Sequence, residues 1–406
     1  MPFVIFAAPW FSENATRFIE AVEGLPEVRL AVITQDKLEN LAPAQRDYLT
    51  AHWRVEDVLD TGQLVHAART LSSQLGPIHR FFGAYEQLQV PLAEARAELG
   101  VEGMSVEAAH NFRDKARMKT LLREAGLPCA RYRLATSEAD AWEFADEVGY
   151  PLVVKPPAGA GSQATYRVDG AEALRDALRI VSPDAHDGVL LEEFITGEEH
   201  SFETISIGGR AVWHSLTRYY PTPLEVMRNP WIQWCVVLPR EIDEPQYDDI
   251  RHAGSHALEA LGMDTGLSHL EWFRRRDGSV AISEVGARPP GAQITTLISR
   301  ANDIDFLGAW ARVMVYGVFD PPQRRYATGA AFLRGQGRGQ VKAIHGLDQA
   351  QSELGSLVVD VKLPSIGQHP ASSYEGEGYV ILRHTETSVV EQALARLVSL
   401  IRVELG

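Results

Sequence analysis

Cysteine is scarce: Cys129 and Cys235 are the only two among 406 residues. They lie far apart, with no metal-ligand spacing around either. A disulfide framework is therefore excluded, and both read as buried thiols of a reducing compartment. Long hydrophobic runs are absent as well; no stretch of about 18 apolar residues occurs, so no transmembrane helix is expected. The opening MPFVIFAAPW has no Lys or Arg ahead of its short apolar run, and reads as a first β-strand, not a signal peptide. The cytoplasm is the expected location. Positive charge is in deficit, with 39 Lys plus Arg against 54 Asp plus Glu and a formal net charge of −15. Nucleic acid and membrane surfaces, which select clustered basic residues, are not expected partners. Two nucleotide-binding fingerprints are missing too. The first strand runs into FAAPWFSENA instead of G-x-G-x-x-G, and the glycine-rich stretch PPAGAGSQA does not fit G-x-x-x-x-G-K-[ST].

What is present is an ordinary globular composition, 45% hydrophobic and 23% charged, in a chain too long for one small core. Strand-like and helix-like patterns alternate through FVIFAA (3–8), a helix from Ser12, VRLAVIT (28–34), a helix from Gly62, and IHRFFG (78–83). That rhythm predicts a Rossmann-like α/β domain over residues 1–110. An α+β rhythm follows over 111–322, and a small α+β segment over 323–406 closes with a helix expected at Ser388–Val403.

The most informative stretch is SHLEWFRRRDGSVAISEVGARPPG, 268–291. Asp277-Gly278 between two β-prone runs has the form of a two-residue hairpin turn. Pairing 276 with 279 and 274 with 281 then sets Glu271 opposite Glu284. Facing carboxylates repel, and a divalent cation between them relieves the repulsion. Oxygen-only ligation points to Mg²⁺ or Mn²⁺ accompanied by phosphate oxygens; a solvated hairpin with splayed glutamates is the alternative. Arg288, four residues on, can supply a fixed cation for an anionic intermediate. The arginines at 274–276 read as a solvated tip.

Three further segments carry candidate chemistry. Lys155 ends the run PLVVK, and the loop after it, with Gly159, Gly161 and Ser162, can fold backbone N–H groups around phosphate oxygens. Lys115 opens a helix behind the candidate N-cap Asp114. In LLEEFITGEEHSFE, Glu192 to Ile195 pass from strand to linker, with polar backbone groups in one plane and Phe194 and Ile195 to flank a ring, while Glu199 can accept from ribose hydroxyls. Taken singly, each also fits a surface lysine or a plain turn.

The ordered set Lys115, Lys155 with its glycine loop, EEFI and GEEHS, Glu271, then Glu284 with Arg288 resembles the ATP-grasp superfamily over about residues 1–320. The resemblance implies a two-part clamp around ATP, with a nucleotide-clamping subdomain at about 120–192. It implies that Lys115 and Lys155 meet the ATP phosphates and that Gly159, Gly161 and Ser162 close over them. Glu192 and the backbone of Glu193, Phe194 and Ile195 would bind adenine, and Glu199 the ribose. Glu271 and Glu284 would hold Mg²⁺ or Mn²⁺, and Arg288 would stabilise an acyl phosphate. The family often has E-x-N-x-R where this chain has Glu284-Val285-Gly286-Ala287-Arg288, so a side-chain ligand is missing at 286. Biotin carboxylases carry Gln and Glu where Pro290 and Ala292 stand, which disfavours bicarbonate.

The expected activity is an ATP-dependent carboxylate–amine ligase, most like the amino-acid and dipeptide ligases, acting on a small-molecule carboxylate and an amine. A biotin-carboxylase-like enzyme and a non-catalytic ATP-binding regulatory protein are the alternatives. The aromatic stretch 213–234, with Arg218 and Arg228, is a candidate acceptor pocket. The oligomeric state is open, with a homodimer the commonest outcome.

Overall fold

The computed structural model describes residues 1–158, 165–183, 188–229 and 231–406. At the N-terminus β1 (Phe3–Ala7), β2 (Arg29–Thr34), β3 (Ala51–Arg54) and β4 (Ile78–Gly83) form a sheet in the order β3-β2-β1-β4, with every pairing parallel. Parallel neighbours require crossovers. Helices Glu13–Glu23 and Thr61–Leu75 supply two of them, each begun by a side chain that caps an orphan N–H: Ser12 accepts from Ala15, and Asp60 from Gln63. β1 is buried at all five positions, as its unbroken apolar run requires of a strand covered on both faces. The short β3 was not expected from the sequence.

The next unit is a four-stranded antiparallel sheet of β5 (Tyr132–Ala135), β6 (Leu152–Lys155), β7 (Tyr166–Val168) and β8 (Val189–Glu193), ordered β5-β8-β6-β7. Leu152, Val154, Val189 and Leu191 pack on one side against Phe144, Leu174 and Leu178 of helices Glu138–Val148 and Ala171–Val181. Strand alternation sends Lys155 and Glu192 to the other side.

The largest sheet has eight antiparallel strands, ordered β13-β12-β9-β10-β11-β14-β18-β17. These are β9 (Gly197–Ile207), β10 (Arg210–Tyr220), β11 (Cys235–Leu238), β12 (Gly266–Arg275), β13 (Val280–Gly286), β14 (Ala327–Leu333), β17 (Val358–Lys362) and β18 (Gly378–His384). Because β11 pairs with β14, the C-terminal segment extends the sheet that carries the central strands. β15 (Gly335–Gly337), β16 (Val341–His345) and β19 (Arg402–Leu405) make a small separate sheet. The last helix is Thr387–Leu400, shorter than the sequence expectation. Ile401 turns extended, and Val403 is buried while Arg402 is exposed, so the final residues alternate as a strand and pair with both β15 and β16.

Candidate functional site

The four-stranded sheet of β5–β8 (the clamp sheet of the expected nucleotide-clamping subdomain), the eight-stranded sheet and the loop after β13 enclose a cleft of about 670 Å³. Its floor follows from strand register. Glu199 lies opposite Phe273, Ser201 opposite Glu271, Glu203 opposite His269, and Glu271 opposite Glu284. One face therefore gathers polar side chains, while Phe202, Leu270, Trp272, Ile282 and Val285 fill a core on the reverse.

The facing of Glu271 and Glu284 agrees with the sequence expectation, but the route to it differs. The turn has three residues: the Arg275 amide bonds Ser279 O, and Gly278 sits at φ +84°, the three-residue form in which a left-handed residue closes the loop. Arg274 accordingly pairs with Val280, not Ala281. A second irregularity, between Glu271 and Trp272, restores the expected partner by leaving Ser283 as an extra residue on β13. Without it Glu284 would face the apolar core. Of the three arginines only Arg276 is exposed at the tip; the other two are engaged. Arg274 binds Asp249 and the Gln246 carbonyl, and Arg275 reaches Glu193 at 3.4 Å.

Lys115 begins helix Lys115–Glu124, where Asp114 accepts from the Ala116 and Arg117 amides at 2.9 and 3.0 Å. Its Nζ is 2.8 Å from Glu284 Oε1. Burial pushes the Glu284 carboxyl up, but Lys115 and Lys155 outweigh that and hold it at about 2. Lys155 Nζ is 3.0 Å from Glu192 Oε1. Burial disfavours the lysine's charge, yet Glu192, then Glu284, raise its affinity for the proton. Glu192 is likewise pushed up by burial and pulled below the carboxylate range by Lys119 and Lys155. Glu199, buried and facing the charge of Glu271, lies well above it.

At Glu193–Ile195 the Glu193 amide bonds Arg131 O at 2.9 Å and the Phe194 amide bonds Pro151 O at 3.2 Å. A base edge would thus be read by the remaining polar groups of the stretch. Phe194 and Ile195 line the cleft, and the Arg167 guanidinium stacks 4.4 Å from the Phe194 ring. Gly159, Gly161 and Ser162 lie outside the described residues. Arg228, at the end of helix Pro223–Arg228, lines the cleft. Arg218 does not; it is held by Glu391 at 2.9 Å and by the Tyr247 hydroxyl at 2.6 Å.

Several site residues escaped the sequence reading. Arg288 Nε donates to Glu86 Oε2 at 2.8 Å, and Glu86 is a buried residue following β4. A Cβ at position 286 would stand 3.1 Å from that same oxygen, so a side chain there would press on the Glu86–Arg288 pair. His269 Nδ1 lies 2.9 Å from Glu203 Oε1, and its Nε2 3.6 Å from Glu271. Burial works against its charge, but Glu203, then Glu271, lift its pKa to about 9. The alternation S-H-L-E, which puts His269 on the face of Glu271, was a usable signal. Tyr374 packs edge-on against Trp234 at 4.6 Å, and Glu375 Oε1 accepts from the Ala292 amide at 2.9 Å.

Among the described residues, three or more His, Cys, Asp or Glu side chains nowhere converge as a metal cage. Two facing carboxylates, one firmly ionised, fit a hard cation that completes its shell with ligand oxygens and water. No helix among the described residues is long and apolar enough to cross a membrane.

Residues 120–302 match the ATP-grasp domain family model. The L-arginine-specific L-amino acid ligase of Bacillus subtilis is 23% identical over 71% of this chain and 76% of its own length. An uncharacterized protein of Sinorhizobium fredii, y4rH, is 27% identical over 86% of this chain and 71% of its own. The crystal structure of an L-amino acid ligase from Bacillus licheniformis shares the fold, with a TM-score of 0.79 at 20% identity, covering 100% of this chain and 99% of that one.

Proposed function

Since the chain is an ATP-grasp ligase, we propose that it activates a carboxylate, of an amino acid or related acid, as an acyl phosphate and joins it to an amine, releasing ADP and phosphate. The observation that carries this reading is the convergence on one cleft of Lys115, Lys155, the facing Glu271 and Glu284, and Arg288. A carboxylate is a poor electrophile until one oxygen becomes a phosphate leaving group. Fixed cations at the transferring group supply most of the catalysis in such chemistry.

In this reading Lys115 and Lys155 hold the phosphates, Glu192 and the Glu193–Ile195 stretch the base, and Glu199 the ribose. Glu271 and Glu284 would hold Mg²⁺ or Mn²⁺, which supplies charge neutralisation at the phosphates. Arg288, aimed by Glu86, faces the acyl centre, and Arg228 is the cation available to a carboxylate on the acceptor. The names of the amino acid ligases among the relatives support this substrate class.

The test is a panel of amino acids and amines scored for ADP release in Mg²⁺, with mass spectrometry of the product. ADP that needs both an acid and an amine is expected. AMP, or ATP cleavage dependent on bicarbonate and biotin, would replace this reading with another; binding of ATP without turnover on any substrate would favour a regulatory role.

A further inference from the structure

Lys119 has no part in the chemistry described so far, yet its side chain is fully buried. It sits one helical turn beyond Lys115 on helix Lys115–Glu124, so both lysines leave the same helix face. Its Nζ lies 3.2 Å from Glu192 Oε1 and donates to the Ser283 carbonyl at 3.1 Å. Ser283 is the extra residue whose insertion returns Glu284 to the face of Glu271. One ammonium group therefore touches both the Glu192 carboxylate and the backbone irregularity that sets the carboxylate pair.

A buried lysine is costly unless it is both paired and hydrogen-bonded, and replacing a buried ion pair as a whole by well-packed apolar residues is often neutral or stabilising. Stability alone gives no reason for a charge here. We propose that Lys119 is a positioning residue that links nucleotide binding to cation binding. It fixes the β13 irregularity so that Glu284 stays opposite Glu271, and it shares Glu192 with Lys155, so the clamp sheet and the β12–β13 hairpin are held to one helix. Lys115 and Lys119 thus pin adjacent residues of β13, one through the Glu284 side chain and one through the Ser283 main chain.

The proposal rests on the nucleotide-and-metal reading of the cleft, and its test does not need turnover. Mn²⁺ binding in the presence of ATP is followed by electron paramagnetic resonance on the full chain, with circular dichroism and thermal melting alongside. Wild type is compared with Lys119→Met. Because that variant leaves Glu192 with one partner fewer, Lys119→Met/Glu192→Gln is compared in addition with Glu192→Gln alone. The expected result is Mn²⁺ half-saturation raised about tenfold or more when Lys119 is lost, the scale seen when groups that orient metal ligands are removed, with the double variant still folded. A folded double variant whose Mn²⁺ half-saturation equals that of Glu192→Gln overturns the proposal. Loss of folding in both Lys119 variants overturns it too, because Lys119 would then serve stability alone. Wild type that binds no Mn²⁺ with ATP fails the nucleotide-and-metal reading itself, an outcome distinct from equal binding by wild type and variant.

Discussion

Glu284 carries opposed forces: burial favours its neutral form, while Lys115 at 2.8 Å and the nearby Lys155 keep it ionised. Replacing it with Gln keeps the shape and a hydrogen-bond acceptor for Lys115 but removes the charge. Glu284→Gln is expected to lower ADP release by about 10²–10³-fold, the scale of losing one fixed electrostatic group at a reacting centre, with the far-UV circular dichroism unchanged; retained turnover would remove Glu284 from the cation site. A second residue links burial to pH. His200 stacks on Trp272 at 4.6 Å, and burial, then Arg218 and Arg274, press its pKa from 6.5 to about 3. Above pH 6.5 folded and unfolded chains both hold it neutral, so it contributes no pH dependence there. As pH falls below 6.5 the unfolded chain takes up a proton that the folded chain refuses until about 3, and stability is lost across that window. By pH 4.5 the loss amounts to about 2–3 kcal/mol. His200→Phe keeps an aromatic stack without the titration, so its urea midpoint is expected to fall less than that of wild type between pH 7 and 4.5; equal falls would refute the assignment.

Elements with a strong period were legible in the sequence. The alternating β/α pattern at the N-terminus and the apolar run of β1 gave the parallel sheet, and the Asp114 cap marked the start of the Lys115 helix. The hairpin was legible only in outcome, because its two departures from a regular ladder, a three-residue loop and an extra Ser283, offset each other at Glu271 and Glu284. A trace of the second was available: the core-facing residues of β13 are Val280, Ile282 and Val285, and the step from 282 to 285 breaks the period of two that a regular strand keeps. The final strand was missed because Thr387–Leu400 and Arg402–Leu405 are both apolar enough to extend one pattern, and only pairing with β15 and β16 separates them. The loop geometry predicts the behaviour of Gly278. Nothing lies within 4 Å of a Cβ built there, but φ is +84°, so a side chain meets backbone strain and no clash. Gly278→Val is expected to cost about 1–2 kcal/mol in chemical denaturation with an unchanged KM for ATP. A neutral effect on stability would mean that the loop adopts another turn.

The parts that local pattern could not reveal are contacts between distant segments. Glu86 meets Arg288 across 202 residues of chain, and Glu375 meets Ala292 across 83. Neither partner carries a mark of the other in its own neighbourhood, since folding of the whole molecule alone brings them together. The second contact gives the C-terminal segment a task at the cleft. Ala292 and Gln293 both hold positive φ, 53° and 55°, without being glycine, a conformation that persists only where surroundings impose it. Glu375 accepts the Ala292 amide, Arg17 binds Gln293 and Thr296, and Tyr374 closes against Trp234. Arg288 lies four residues before this strained turn, so the turn's support sets how the guanidinium is presented. Glu375→Ala would leave the Ala292 amide without its acceptor, at a cost of about 1–3 kcal/mol, and let the turn relax. Glu375→Gln retains an oxygen at the same place. The Ala variant is therefore expected to lose roughly tenfold in ADP release with a lowered melting temperature, a loss on the scale of a misplaced positioning group, while the Gln variant stays near wild type in both. Equal activity of wild type and Glu375→Ala would show that the C-terminal segment closes the sheet without governing Arg288.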